Sequence, residues 1–174
     1  MIILETERLK IRHFLEKDID ALCDLFSDAE TMRFIGSRQP MNCEETKKWF
    51  NEQLELQDKG ITRFAVSLKD SNELVGVSGI QLQNDVWDFG YYFLKKYWGN
   101  GYAFESCREI LSYIERSIGI QDYQIFIAKE NTASIRLIKK LGFCPEEIII
   151  KDGETGNYYK PCRNSLHSTC STGV

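Results

Sequence analysis

Hydrophobic and polar residues change their spacing several times along the chain, and each change marks a new element. Leu9-Lys10-Ile11-Arg12-His13-Phe14 alternates loosely with a period of two, which predicts a strand within Arg8 to Phe14. From Lys17-Asp18 the period turns helical: Ile19, Leu22, Cys23 and Phe26 recur at spacings of three and four and share one face. A second helix is predicted from Cys43 to Gln57, with Asn42 placed to cap it, Trp49, Phe50 and Leu54 as its buried stripe, and Gly60 as its stop. Ile61 to Leu68, Leu74 to Leu82 and Val86 to Leu94 then read as three strands. Asp70-Ser71-Asn72 and Gln83-Asn84-Asp85 supply the turn chemistry between them, so the three form an antiparallel meander.

The second half follows a different order. A bend at Trp98 to Gly101 leads into a helix from Tyr102 to Ile118, a strand from Tyr123 to Ile127 and a helix from Thr132 to Leu141 that Gly142 ends. Strand, helix, strand in that order implies a right-handed parallel crossover joined to the meander. Ile148-Ile149-Ile150, a turn at Asp152-Gly153 and Tyr158-Tyr159 predict a closing hairpin. Beyond Pro161 the residues are rich in Ser, Thr and Cys with little apolar content. The sequence therefore predicts one domain over residues 1–163 and a loosely held tail over 164–174.

Composition narrows the class. At 174 residues, 43% hydrophobic and 28% charged, the chain has material for one sizeable core. The formal charge of −4 argues against broad attachment to nucleic acid or anionic lipid. Aromatic residues from Trp87 to Trp98 could suggest base stacking, but alternation puts Trp87, Phe89, Tyr91 and Phe93 on one face, which reads more simply as a helix-covered surface. The amino terminus lacks a basic segment followed by a long apolar core, so a cytoplasmic protein is expected. Six cysteines include no Cys-x-x-Cys pair, and His13 and His167 are the only imidazoles. The expectation is therefore no metal site and reduced thiols, with Cys107 and Cys144 as core residues.

The informative stretch is Tyr91-Tyr92-Phe93-Leu94-Lys95-Lys96-Tyr97-Trp98-Gly99-Asn100-Gly101-Tyr102-Ala103. A strand ends, a loop with two glycines follows, and a helix begins. Unpaired helix-start amides, the positive end of the helix dipole and backbone free of side-chain bulk make an anion seat there. No Lys-Ser or Lys-Thr follows Gly101, as a nucleoside triphosphatase loop requires. A dinucleotide fold would carry the glycines after the first strand and a third Gly where Phe104 stands.

On these residues the sequence resembles the GNAT superfamily of acetyl-CoA-dependent N-acetyltransferases. Within it, the likeness is to the branch of bacterial ribosomal-protein N-terminal acetyltransferases (RimJ/RimL-like). The family signature Gln/Arg-x-x-Gly-x-Gly/Ala aligns with Trp98-Gly99-Asn100-Gly101-Tyr102-Ala103, departing from it at Trp98. Thr6-Glu7-Arg8-Leu9-Lys10-Ile11-Arg12 and Asn131-Thr132-Ala133-Ser134 leading to Leu141-Gly142-Phe143 are two further matches, in order. The resemblance implies an α/β fold with a mixed, mostly antiparallel sheet of six to seven strands, helices on both faces, and fourth and fifth strands that splay apart. It implies acetyl-CoA as cofactor, its pantetheine arm on the main chain of Tyr92, Phe93 and Leu94, and its phosphates on Trp98, Gly99, Asn100, Gly101, Tyr102 and Ala103. Asn131, Ser134 and Lys140 would complete the cofactor contacts, and Gly90 would mark a bulge that opens the gap.

The reaction so implied needs a neutral amine. A lysine side chain of pKa about 10.4 is neutral at pH 7 about once in two to three thousand molecules, an α-amine near 7.7 to 8.0 about a tenth to a sixth of the time. A base is useful for both. Asp88 is the candidate, on the same strand face as Gly90, with Glu105 a weaker alternative explained by the helix dipole alone. Many family members carry a tyrosine acid seven residues after the matched Asn131; here that position is Ile138. The resemblance instead gives Ser134 the bond to the coenzyme sulfur and Asn131 a bond to the pantetheine or a water. The reading is direct transfer to a primary amine, with a protein N-terminal α-amine among the acceptors and a monomer or homodimer as the assembly. A non-catalytic acyl-CoA sensor is the alternative. Acceptor choice is expected to lie around Met32 to Arg38, at Trp49 and in the closing hairpin.

Overall fold

The computed structural model describes residues 1–59 and 63–162. Eight strands form one open sheet in the order β1-β2-β3-β4-β5-β6-β8-β7. They are β1 (Ile2–Glu5), β2 (Leu9–Arg12), β3 (Arg63–Leu68), β4 (Leu74–Gln83), β5 (Val86–Phe93), β6 (Tyr123–Ala128), β7 (Phe143–Lys151) and β8 (Glu154–Pro161). The helices are α1 (Ile19–Ser27), α2 (Ala29–Met32), α3 (Cys43–Asp58), α4 (Tyr102–Tyr113) and α5 (Thr132–Lys140). All neighbouring strands are antiparallel except β5 and β6. No helix among the described residues is long and apolar enough to cross a membrane.

The extra strand is β1, which makes the expected fourth and fifth strands β5 and β6. Its four residues are partly exposed and too few to show a period. Asn42 caps α3 as its sequence suggests, accepting from the Glu44 and Glu45 amides while the Glu45 side chain accepts from the Asn42 amide. Gly60, expected to end α3, and Ile61, expected to open the next strand, lie outside the described residues, as does the expected tail over 164–174.

The period-two pattern sorts the sheet's faces. Ala65, Leu74 and Val77 pack with Phe14, Leu22, Leu25, Phe26, Met32 and Phe50 under α1–α3. Phe64, Val66, Ile80, Phe89 and Phe93 pack with Cys107, Ile110, Ile114 and Ile138 under α4 and α5. A buried bidentate pair fixes the first layer: Arg12 donates from Nη1 and Nη2 to Asp18 at 2.7 and 2.8 Å, tying β2 to the turn before α1.

The cysteines depart from expectation. Cys23 in α1 is bonded to Cys43 at the start of α3, and Cys144 in β7 to Cys162 after β8, with Cα–Cα distances of 5.2 and 5.1 Å. Cys144 is thus an exposed bridge residue rather than a core one, while Cys107 is a free, buried thiol. The pairing comes from helix and hairpin packing across 20 and 18 residues, which local spacing does not reveal.

Candidate active site

The parallel pairing of β5 and β6 covers only Trp87 with Tyr123 and Asp88 with Gln124. β6 then keeps β8 on its far side from Ile125 onward, so a wedge opens between Phe89–Phe93 and Ile125–Ala128. A cavity of about 950 Å³ runs from Gly99, Gly101 and Ala103 through this wedge to Asp88, Arg63 and Lys151. Gly90 does not make the wedge by a bulge, because β4 and β5 pair without a break from Gly76–Phe93 to Gln83–Val86. The opening begins where the β5–β6 ladder stops.

Main-chain groups on the open edge follow from ladder alternation. The Leu94 amide donates to the Val75 carbonyl at 3.0 Å, so Tyr92 and Gly90 also face β4 while Tyr91 and Phe93 turn toward the gap. The Phe93 carbonyl is already taken by the Trp98 indole N–H at 2.8 Å. The donors offered to an arm lying in the wedge are thus the Tyr91 and Phe93 amides, rather than those of Tyr92 and Leu94. Trp98, half exposed, staples the loop to the strand it leaves.

That loop is shaped for an anion. Gly101 is the N-cap of α4 with φ 80°, and Gly99 has φ 77°, both in the left-handed region that a side chain disfavours. Asn100 holds the turn by donating to the Tyr97 and Trp98 carbonyls at 3.0 and 3.2 Å. Tyr102 and Ala103 begin the helix, and Lys140 in α5 brings its ammonium 4.3 Å from the Phe104 ring, beside that helix start. The first strand motif supplies a cation that the sequence reading gave no role. Arg8 donates to the Asn100 carbonyl at 3.0 Å, and its Nη2 would lie 3.5 Å from a Cβ on Gly101.

Glu105 serves this support. It accepts from the Thr6 hydroxyl at 2.6 Å, the Arg8 amide at 2.9 Å and the Arg8 Nε at 2.7 Å. Burial alone would raise its pKa, but these bonds outweigh it and hold the carboxyl below its ordinary range. Those partners occupy the oxygens a base would need.

Asp88 and Ser134 flank the wedge from opposite faces of the sheet. Asp88 lies on the α1–α3 side; burial pushes its carboxyl up, with Arg63 and Lys151 pulling the other way. Ser134 sits in the first turn of α5, which Asn131 caps by accepting from the Ser134 amide at 3.2 Å. The Ser134 hydroxyl accepts from the Tyr91 hydroxyl at 2.9 Å. Burial raises the Tyr91 phenol well above its ordinary range, so it stays protonated. This hydroxyl pair was missed in the sequence, where alternation marked Tyr91 only as a core residue. Ile138 is fully buried in the core. The segment after α2 lines the cavity through Arg33, Phe34, Ile35 and Arg38, whereas Trp49 packs on Phe14 and Phe26 instead.

The profile of the acetyltransferase (GNAT) domain family matches residues 8–144. The chain belongs to that family. It is an N-acetyltransferase of GNAT type, and the donor this family uses is acetyl-CoA. The uncharacterized N-acetyltransferase p20 of Bacillus licheniformis is 27% identical over 153 residues, 86% of each chain. The GNAT-family acetyltransferase of Bacillus anthracis has a crystal structure with a TM-score of 0.78 and 28% identity, covering 91% of this chain and 95% of that one. RimL, a ribosomal L7/L12 α-N-protein acetyltransferase solved with coenzyme A, shares the fold at a TM-score of 0.73 and 21% identity, over 91% and 95% of the two chains. The open wedge, the uncrowded Gly99 and the bare α4 start of this GNAT chain fit such a donor.

Proposed function

We propose that the protein transfers the acetyl group directly to a primary amine that enters from the α1–α3 side, with protein N-terminal α-amines among the candidate acceptors. The observation that carries this is the placement of Asp88 and Ser134 on opposite faces of one wedge. Acetyl-CoA supplies an activated acyl thioester when bound. The Gly99–Ala103 loop, with Arg8 and Lys140 beside it, holds the phosphates, and the Tyr91 and Phe93 amides orient the arm. Asn131 has spent its carbonyl oxygen on the α5 cap and offers its amide N–H groups.

Asp88 takes the proton shed by the attacking amine, directly or through a water. Its buried carboxyl is a stronger base than an exposed one, and a base is needed because most amines are protonated at pH 7. Ser134 presents its hydroxyl proton toward the departing sulfur, and Tyr91 fixes the orientation of that hydroxyl. Direct transfer is favoured over an acyl-cysteine route. The one free thiol among the described residues, Cys107, is buried, 3.4 Å from the Ser78 hydroxyl, and pushed up to about 12 by burial.

The neighbour named for ribosomal L7/L12 supports a protein N-terminus as one acceptor class. Incubation with acetyl-CoA and a panel of amines, including ribosomal-protein N-terminal peptides and polyamines, should release free thiol. Silence across that panel, with acetyl-CoA binding demonstrated by calorimetry, would sink the transfer reading and leave an acyl-CoA sensor.

A further inference from the structure

Arg63 opens β3, yet its side chain runs across the sheet instead of off it. The ladder sets Arg63 opposite Gly79 and Gly79 opposite Gly90, so two positions without side chains lie in its path on the α1–α3 face. A Cβ on Gly90 would stand 2.0 Å from Arg63 Nη1, which makes that glycine the gap admitting the cation. The Arg63 side chain is only 4% exposed.

Its partners satisfy two of its nitrogens. Nε donates to Gln81 Oε1 at 3.4 Å and Nη2 to Asp88 Oδ2 at 3.4 Å, both long for charge-assisted bonds. Nη1 is buried and meets no acceptor in hydrogen-bond geometry among the described residues. The Tyr92 ring centre lies 5.0 Å from the guanidinium carbon, whose charge and side-chain contact with the Tyr92 hydroxyl oppose the rise that burial gives that phenol, yet Nη1 itself meets no oxygen in hydrogen-bond geometry. A buried donor of this kind is costly until an acceptor oxygen reaches it.

A second cation flanks the same carboxylate. Lys151 of β7 has no carboxylate bridge among the described residues; its ammonium lies 5.5 and 5.3 Å from the Phe126 and Tyr158 ring centres. Its field reaches Asp88. Two other cations lining the cavity or beside it are paired within the protein, Arg33 with Glu130 at 2.9 Å and Lys95 with Glu30, while the Asp152 carboxylate next to Lys151 has no ion pair among the described residues.

We infer that the acceptor carries a carboxylate close to its primary amine, the amine facing Asp88 and the carboxylate taken by Arg63 Nη1 with Lys151 behind it. The inference rests on the reading that acceptors enter on the Asp88 side. Such a molecule matches the corner because Asp88 and Arg63 are themselves partners at 3.4 Å, as an amine and a carboxylate are on one small molecule. A free amino acid has this chemistry, and so does a peptide whose first residue is Asp or Glu. A polyamine brings only cations to a corner that already holds two.

The test is thiol release by the full chain with acetyl-CoA and matched acceptors: amino acids against their amides, and peptides beginning with Glu or Asp against Gln or Asn. Rates are taken across pH so that amine ionisation is factored out. The carboxylate members should exceed their amides by about 10- to 100-fold in kcat/KM, the discrimination of a site whose buried donor is otherwise unpaired. Which pair shows the gap separates the free amino acid from the peptide. Arg63→Met should collapse the ratio toward one, Arg63→Lys should restore part of it, and Lys151→Met should lower it mainly through KM. A parent ratio near one, or an unchanged ratio in Arg63→Met, overturns the inference while any transfer at all keeps the proposed reaction. If no amine is acetylated, thermal stabilisation of the coenzyme-loaded protein by amino acids over their amides, lost in Arg63→Met, still supports the site. Equal stabilisation overturns it.

Discussion

The Tyr91 hydroxyl donates to the Ser134 hydroxyl across 2.9 Å, joining β5 to α5 at the side of the wedge away from Asp88. Two hydroxyls 43 residues apart thereby act as one group. With one of its two oxygen lone pairs engaged, Ser134 must turn its own proton away from Tyr91. Ser134→Ala should lower kcat by about 100-fold, at the lower end for a lost proton donor, while the Kd for acetyl-CoA changes little. Tyr91→Phe should cost about tenfold in kcat, the worth of one orienting hydrogen bond of about 1.4 kcal/mol. Steady-state kinetics with calorimetry check both; a Ser134→Ala enzyme as fast as its parent would remove Ser134 from its role.

As the proposed base, Asp88 should set the acid side of the pH profile. Its pKa is raised by burial, and it must be ionised to accept a proton, so kcat/KM should fall as pH drops through that raised value. Asp88→Asn should lose about 100-fold in rate and lose this limb, leaving only the ionisation of the amine. An Asp88→Asn profile with the parent's acid limb would assign that limb to another group.

Gly101 carries the turn into α4 at φ 80°, with Arg8 Nη2 3.5 Å from where a side chain would begin. Gly101→Val should weaken acetyl-CoA binding by about 10-fold or more, the effect of 1–2 kcal/mol of left-handed strain displacing the loop. Turnover at saturating donor should change much less. A variant with parental donor affinity would show that the helix start does not hold the phosphates.

Glu105 links the amino-terminal strand pair to α4. Glu105→Gln should destabilise the fold by about 1–2 kcal/mol at pH 7, a figure discounted because Arg8 is half exposed. The sign with pH is fixed by the lowered pKa: the stabilisation is present above the carboxyl's unfolded value and disappears as pH falls through its folded one. Parent and variant should therefore begin to converge in urea unfolding as pH falls below the ordinary glutamate range, and coincide only once it is below the carboxyl's lowered folded value.

The Cys23–Cys43 bridge closes a loop of 20 residues between α1 and α3. Reduction, or Cys23→Ser, should lower stability by about 3 kcal/mol on the chain-entropy estimate. Peptide mapping without reductant should recover these two segments linked.

Much of the fold was legible because its signals are local. Asn42 sits before a helical stripe, turn residues separate the meander strands, and Gly99 and Gly101 precede the Tyr102 helix. The parts that stayed hidden arise across the sheet. Arg63 has no marked role in the sequence until Gly79 and Gly90 are seen beside it in register. Tyr91 reads as core until α5 brings Ser134 to its hydroxyl. Arg8 was visible in its motif, but only the fold carries it to Asn100, 92 residues on.

The strand order β6-β8-β7 has a consequence for the timing of assembly. The residues proposed to hold the donor all lie before residue 141, whereas Lys151 and the turn that Arg38 holds belong to the β7–β8 hairpin. On the ribosome, the proposed acceptor end of the cleft is thus completed after its donor end. A chain cut before this hairpin would lack the lysine proposed to back the acceptor's carboxylate.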